Sequence, residues 1–125
     1  MKKELDEKIC KKYPKIFAQR NYPMTETAMC WGFECGNGWY DLIDNLCADL
    51  QAHCDKNNVT IEVCQVKEKY GGLRFYVMGG DDHCDELINK AEQQSYNICE
   101  ICGEKGELNK EDRWLMVRCD KCKEK

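Results

Sequence analysis

The sequence lacks a long apolar run, because no uninterrupted apolar stretch reaches the length of about 18 residues that a membrane-spanning helix needs. The N-terminal residues, MKKELDEKIC, also lack the apolar segment that follows the basic residues of a signal peptide. Internal repeats and low-complexity segments are missing as well. We therefore expect a cytoplasmic protein with no membrane partner.

Disulfide bonds are not expected either, although the chain contains 11 cysteines. An odd number of cysteines without an export signal favours reduced thiols and metal ligands over a disulfide scaffold. A chain of 125 residues with 42% hydrophobic residues fits one domain with a modest core.

Charge is distributed unevenly along the chain. The first 20 residues carry seven Lys and Arg against three Asp and Glu, which leaves 12 basic and 20 acidic residues, a net charge of −8, for the remainder. An acidic body repels phosphate groups at long range and suits a partner with a basic surface. The simpler interpretation is a solvated, solubilising surface.

Apolar residues at helical spacing predict three helices. The apolar stripe of the first consists of Leu5, Ile9, Tyr13 and Ile16 or Phe17. The stripe of the second consists of Trp39, Ile43, Leu46, Cys47, Leu50 and Cys54. The third carries Leu87, Ile88 and Ala91 and runs to about Tyr96. Pro14 should break or kink the first helix, Asn57-Asn58 should end the second, and Asp81 or Asp82 should cap the third.

Two segments alternate as strands do, VTIEVCQV and LRFYVM. Gly71-Gly72 lies between them, where a tight reversal needs residues that tolerate positive φ, so we predict a β-hairpin at these glycines. The predicted fold is α+β, with helices around a small antiparallel sheet. Residues 1–96 should form this body, and residues 97–125 a zinc-ribbon-like module packed with it as one compact domain.

The hairpin should present a mixed cationic and aromatic face. Leu73, Phe75 and Val77 would point to the core, which leaves Arg74 and Tyr76 on the opposite face near Lys67, Lys69 and Tyr70. Single-strand binders use such a composition for phosphate contact and base stacking. A sheet face covered by a helix would have the same composition.

The C-terminal cysteines give the most specific chemical signal. Cys99-x-x-Cys102 and Cys119-x-x-Cys122 are separated by sixteen residues. Two residues between cysteines let a tight turn direct both sulfurs at one ion, and Gly103 relieves crowding after the first pair. The segment RWLMVR can form the strand that closes the site. We predict one Zn²⁺, structural because four protein ligands leave no open coordination position.

The other cysteines give weaker signals. Cys47, Cys54 and Cys64 fit the core as small hydrophobes, and Cys10 has no assigned role. A second metal site remains an open alternative, with Cys30 and Cys35 joined by His53 or by His83 and Cys84.

An enzymatic function has little support in the sequence. Asp81, Asp82 and His83, with Glu62, Gln65 and Lys67 on a strand, only loosely match a metal-dependent nuclease. Capping a helix is a sufficient role for Asp81 and Asp82. We predict no catalysis.

The segments KYPKIF, MCWGFECGNGWYDLID and VKEKYGGLRFYV, together with the final cysteine pairs, resemble a family of small, mostly uncharacterised phage and prophage proteins. The resemblance covers nearly the whole chain and implies an accessory protein made inside an infected bacterium. Many such proteins bind and disable host machinery, including CRISPR effectors. The resemblance supplies no catalytic residue.

Two classes of function follow. The first is an inhibitor of a host defence protein, with a CRISPR effector nuclease as the expected target, because an acidic body complements a cationic nucleic-acid channel. The expected contact residues are Asp41, Asp44, Asp49, Tyr70, Tyr76, Asp81, Asp82 and Asp85. The alternative is a nucleic-acid-binding or transcription-modulating zinc protein that uses Lys67, Lys69 and Arg74.

Overall fold

The computed structural model describes residues 1–23, 27–29, 32–109 and 115–123, which form the α+β fold that the sequence predicts. The α-helices of these residues are α1 (Lys3–Lys12), α2 (Tyr40–Asn57) and α3 (Asp82–Ser95). The β-strands are β1 (Phe33–Glu34), β2 (Ile61–Lys69), β3 (Gly72–Gly79), β4 (Glu107–Asn109) and β5 (Met116–Arg118). No helix within this part of the chain is both long and apolar enough to cross a membrane.

Local sequence signals set the ends of α1. Glu4 and Asp6 lie in its first turn and Lys11 and Lys12 in its last, an order that complements the helix dipole. The helix ends two residues before Pro14, as predicted, because proline cannot continue the hydrogen-bond pattern.

The ends of α2 and α3 also match the prediction. Asn58 follows α2 with a left-handed φ of 56°, and its N–H donates to the carbonyl of Cys54. The Asp81 carboxylate accepts a hydrogen bond of 3.0 Å from the backbone N–H of Cys84 and so caps the N-terminus of α3. The buried face of α2 consists of Leu42, Ile43, Leu46, Cys47, Leu50 and Cys54.

The main sheet has the order β1, β2, β3, and β4 pairs with β5 in a separate two-stranded sheet. β2 and β3 are antiparallel, as predicted, but β1 pairs with β2 in parallel, with Phe33 opposite Val66. The expectation of a purely antiparallel sheet is therefore wrong at this edge. The pairing is parallel because the chain passes from β1 to β2 through α2, and such a crossover enters the sheet again from the same end.

The turn of the hairpin is formed by Tyr70 and Gly71, one residue earlier than predicted. Lys69 lies opposite Gly72 as the last strand pair, and the turn residues have φ values of 53° and 88°. Two consecutive left-handed residues give the turn type that suits the twist of a two-residue hairpin. The Glu68 carboxylate accepts a hydrogen bond of 2.7 Å from the Gly71 N–H and stabilises this turn.

The two glycines of this motif permit close contacts with other segments. A Cβ on Gly72 would lie 2.5 Å from the ring of Tyr96, just after α3. A Cβ on Gly71 would lie 2.5 Å from Leu108 of β4 and 3.2 Å from the backbone of Leu115. The hairpin turn is thus packed against the C-terminal segment and cannot accept a side chain at either position without a shift.

A β-bulge in β2 changes which side chains face the core. The register of β2 against β3 shifts between Val63 and Gln65, so that Val63 and Val66 are both fully buried although they are three residues apart. β2 continues to Lys69, three residues beyond the predicted strand, because these residues still pair with β3.

Side chains of α3 cover the outer edge of β3. The backbone N–H of Leu73 donates to Ser95 Oγ and that of Phe75 donates to Glu92 Oε2, each over 2.9 Å. These bonds satisfy backbone groups that an edge strand would otherwise leave open for pairing with another chain.

The buried carboxylate of Asp6 connects α1 to β1 and to Arg20. The Asp6 carboxylate lies 2.9 Å from Arg20 Nη2 and accepts a hydrogen bond of 3.1 Å from the backbone N–H of Phe33. A Cβ on Gly32, which has a φ of 76°, would lie 2.1 Å from this carboxylate. Because only 8% of the Asp6 side chain is exposed, loss of Arg20 would leave a buried charge without its partner.

The Tyr70→Asn variant should be more stable than the wild type by about 0.5–1 kcal/mol, because asparagine tolerates the left-handed conformation that tyrosine adopts only with strain. Chemical denaturation measures the change. Tyr76→Asn is the control, since it removes another exposed tyrosine from an extended strand position and should destabilise the protein. Equal destabilisation by both variants would contradict the assignment of the turn.

Candidate metal centre

The four C-terminal cysteines lie close together. The sulfur atoms of Cys99, Cys102, Cys119 and Cys122 are all within 4.8 Å of one another, and those of Cys102 and Cys119 are 3.5 Å apart. Cys102 is exposed, whereas the other three are buried. This arrangement is compatible with the binding of a metal ion by four sulfurs.

Main-chain hydrogen bonds shape the two turns that carry these cysteines. The Gly103 N–H donates to the Cys99 carbonyl over 2.9 Å, and Gly103 has a φ of 83°, where glycine is favoured. In the second turn, the N–H groups of Cys122 and Lys123 donate to the Cys119 carbonyl over 3.1 and 3.0 Å. Each turn thereby places both of its sulfurs on one side.

The β4–β5 hairpin joins the two turns. Leu108 lies opposite Val117, which is fully buried, and the Val117 carbonyl accepts a hydrogen bond of 3.1 Å from the Glu100 N–H. β5 contains the last residues of the predicted RWLMVR strand. The first two residues of that predicted strand, Arg113 and Trp114, lie outside the described residues.

The segment Gly36–Gly38 supports the first cysteine turn from the body of the protein. The Gly38 N–H donates to the Glu100 carbonyl over 2.7 Å, and the Gly36 N–H donates to Glu100 Oε2 over 2.8 Å. A Cβ on Gly36 would lie 2.2 Å from the Glu100 carbonyl oxygen, and one on Gly38 would lie 2.1 Å from that of Cys99. Only glycine at these two positions allows the backbones to approach this closely.

The side chains of Trp39 and Glu100 complete this contact. Trp39 is fully buried, and its Nε1–H donates to the Ile98 carbonyl over 3.0 Å. Glu100 bridges the two segments, because one carboxylate oxygen accepts from Gly36 and the other lies 3.4 Å from Arg118 Nη1. The cysteine cluster is therefore positioned by the residues that immediately precede α2.

The electrostatic environment of the cluster favours a thiolate at Cys99. Burial raises the pKa of this thiol, but hydrogen bonds from the backbone N–H groups of Cys102, Cys119 and Ile101 outweigh burial and lower its pKa to about 6. Burial and hydrogen bonding to the other sulfurs raise the pKa of Cys122 to about 12. A bound cation would supply the positive charge that stabilises several thiolates together.

Most other cysteines are protonated thiols at neutral pH. Burial raises the pKa of Cys10 and of Cys35 to about 12. Cys47 and Cys54 lie in the core, as predicted, whereas Cys64 is half-buried at the β-bulge.

The second metal site that the sequence left open takes a different form in the structure. Among the described residues, His53 and Cys84 lie together with Asp81, and Cys35 does not belong to this group. Cys30 lies outside the described residues.

The predicted acidic contact residues fall into two sets. Asp44 accepts hydrogen bonds from Lys12 Nζ over 3.1 Å and from the Tyr13 hydroxyl over 2.8 Å, and Asp81 pairs with His53 Nε2 over 2.8 Å. The exposed acids that have no ion-pair partner among the described residues are Asp41, Asp49, Asp82 and Asp85.

The hairpin brings the predicted cationic and aromatic residues together. Lys67 lies directly opposite Arg74 across the two strands, and Lys69 Nζ lies 5.6 Å from the centroid of the Tyr70 ring. Tyr70 is 69% exposed and Tyr76 is 42% exposed. Arg74 also contacts the hydroxyl of Tyr96 over 3.4 Å, so this cation is partly held by the protein itself.

Sequence reasoning missed the residues that hold the cysteine cluster in place, namely Gly36, Gly38, Trp39 and Glu100. The signal available for the first three was the Gly-Asn-Gly-Trp motif, since closely spaced glycines often mark a close backbone contact. Nothing local marks Glu100, because its partners are distant in sequence.

Comparison of the chain with protein-family models, with curated proteins and with solved structures yields no match.

The Gly38→Ala variant should lose about 1–3 kcal/mol of unfolding free energy, because the new Cβ would displace the Cys99 carbonyl oxygen 2.1 Å away. Chemical denaturation measures the loss. Asn37→Ala is the matched control in the same turn, since it removes only an exposed hydrogen bond from the Lys2 N–H and should cost about 1 kcal/mol or less. Similar costs for the two variants would contradict the proposed contact.

Proposed function

We propose that the four-cysteine cluster binds one structural Zn²⁺ and that the segment around it is a zinc-ribbon-like module. The sulfur separations support this metal, because four sulfurs about 2.3 Å from a tetrahedral Zn²⁺ lie about 3.8 Å apart. The distance of 3.5 Å between the Cys102 and Cys119 sulfurs is close to this value. Zinc at this position would link both cysteine turns, which the described residues otherwise connect through two short strands.

The Cys102→Ser variant should lose this zinc and loosen the β4–β5 hairpin. The reason is that zinc binding at such sites contributes roughly 10–16 kcal/mol to folding. Cys102 is the exposed member of the cluster, so the substitution should disturb packing little. Elemental analysis should find one zinc fewer per chain than in the Cys64→Ser control, whose cysteine lies outside the cluster. Equal zinc contents in the two variants would overturn the zinc proposal.

For the whole protein, we propose a non-enzymatic inhibitor made by a phage in the cytoplasm of the infected bacterium. It binds a basic host defence protein, a CRISPR effector nuclease, and blocks access of nucleic acid. The observation that carries this proposal is the set of exposed acids on α2 and α3 that have no ion-pair partner in the described part of the chain, namely Asp41, Asp49, Asp82 and Asp85. The resemblance to phage proteins directs it toward a host target.

Helices α2 and α3 pack against each other, and all four acids are exposed on this helix pair. An acidic helix pair suits a basic partner. Unpaired surface carboxylates steer the approach of a cationic surface and set specificity more than they set affinity. Solvent-exposed charge pairs are screened by salt, so binding should weaken as ionic strength rises.

The hairpin offers an aromatic anchor for the same interface. Tyr70 is 69% exposed and is held in a left-handed conformation that favours glycine or asparagine. Strained and exposed residues often serve a binding function, and tyrosine is common among the residues that dominate interface energies. Tyr76 and Met78 continue this exposed apolar surface along β3.

Plasmid cleavage by purified CRISPR effector nucleases, with this protein added at increasing concentration, tests the inhibitor proposal. Replacing the four unpaired aspartates of α2 and α3 together by asparagine should raise the inhibitory concentration at least about tenfold, because four charges no longer face the basic partner. The matched control, Lys67→Gln with Arg74→Gln, removes two positive charges from the hairpin and should retain inhibition, because a basic partner gains nothing from these cations.

Nucleic-acid binding is a second candidate, and one observation favours it. Lys67 and Arg74 lie directly opposite each other on β2 and β3, and two neighbouring cations can bind a phosphate group, although Glu34 of β1 lies opposite Lys67 on its other side. If no effector is inhibited while the wild-type protein shifts labelled DNA or RNA at physiological salt, and Lys67→Gln with Arg74→Gln abolishes that shift, the nucleic-acid function replaces the inhibitor.

A further inference from the structure

A second group of potential metal ligands lies where the C-terminal end of α2 meets the N-terminal end of α3. His53, Asp81 and Cys84 each offer one donor atom, and these atoms are all within 4.8 Å of one another. The group is remote from the four-cysteine cluster, because the cluster is held by residues just before α2. His53 lies 13 residues into α2, about 20 Å along the helix.

The imidazole of His53 is oriented from both sides. Its Nε2 lies 2.8 and 3.0 Å from the two carboxylate oxygens of Asp81, and its Nδ1 lies 3.1 Å from Asn57 Nδ2. Asn57 is itself fixed by a hydrogen bond of 2.9 Å to the His53 carbonyl. The ring of His83 lies against that of His53, with 4.3 Å between the centroids. The orientation directs Nε2 at Asp81.

The thiols complete the donor set. Cys84 is fully buried and Cys54, which is 5% exposed, lies beside it. Helix capping accounts for only one oxygen of Asp81, which accepts from the Cys84 N–H over 3.0 Å. It does not account for an imidazole and a thiol that converge on the same carboxylate, with a second thiol beside the first.

The chemistry of the donors selects the metal. Nitrogen, sulfur and carboxylate oxygen together are typical ligands of Zn²⁺, whereas Mg²⁺ and Ca²⁺ prefer oxygen alone. Around a tetrahedral Zn²⁺, such ligand atoms lie about 3.3–3.8 Å apart. In the structure, His53 Nε2 lies 2.8 Å from the Asp81 carboxylate, and all donor atoms of the group lie within 4.8 Å of one another. Movements of about 1 Å would therefore bring the donor atoms to the separation that zinc requires.

We propose that His53, Asp81 and Cys84 bind a second Zn²⁺, with the Cys54 thiol placed to serve as the fourth ligand. Binding releases the thiol proton of each participating cysteine to the solvent. The imidazole proton moves from Nε2 to Nδ1, and the Asn57 amide turns so that its oxygen accepts it. The metal fastens the end of α2 to the start of α3. This site is independent of the four-cysteine cluster and of the proposed inhibitor function.

Metal content of the full-length protein, saturated with Zn²⁺ and then separated from free metal, tests this site. The wild type should retain two zinc ions per chain, and both His53→Gln and Cys84→Ala should retain one. Asp85→Asn is the matched control, since it removes an exposed acid from the same helical turn and should leave two. Equal zinc contents in the wild type, His53→Gln and Cys84→Ala would overturn the proposal.

Co²⁺ provides a second measurement that does not depend on the stability of those variants. The double variant Cys102→Ser with Cys122→Ser lacks two ligands of the first cluster and should still bind one Co²⁺. Its thiolate-to-metal absorption should be about half or less of that of a four-thiolate site, because at most two thiolates coordinate. Adding His53→Gln should abolish this absorption. A double variant that binds no Co²⁺, or one that binds it equally well without His53, would refute the second site.

Discussion

Close contact between glycine backbones and the C-terminal segment is the constraint on which the rest of the structure depends. Gly36 and Gly38 admit the turn that carries Cys99, and Gly71 and Gly72 admit β4 and the ring of Tyr96. At each of these positions a single Cβ would lie 2.1–2.5 Å from another atom, far inside van der Waals contact. Both of these glycine motifs therefore join the body of the protein to its cysteine-rich end.

Helix α2 connects the contact at Gly36 and Gly38 to the rest of the molecule. Its N-terminal end follows Trp39, which is hydrogen-bonded to the segment that carries the four-cysteine cluster, and its C-terminal end carries His53 beside Asp81. Between these ends its apolar face fills the core, and its outer face carries exposed acids. Potential metal ligands thus lie at both ends of the helix that also forms part of the proposed binding surface.

The hairpin shows which structural features local sequence patterns can predict and which they cannot. Alternating residues predicted both strands and their pairing, because the side chains of a half-buried strand alternate between core and solvent. The turn lies one residue earlier than predicted, since Tyr70 adopts a conformation usually left to glycine while Gly72 is required by its contact with Tyr96. The parallel partner β1 was not predicted, because two residues give no periodic signal and their partners in β2 are more than 30 positions away in sequence.

By itself the sequence determined the three helices, the cap of the third, the hairpin strands and the pairing of cysteines in two turns, because each depends on residues within a few positions of one another. Only the tertiary structure determined what holds those turns together, and it placed His53 next to Asp81 and Cys84. It also showed which acids are already paired, such as Asp44 with Lys12. These contacts join residues about 30 or more positions apart, and their partners are selected by the packing of whole elements and not by any local pattern.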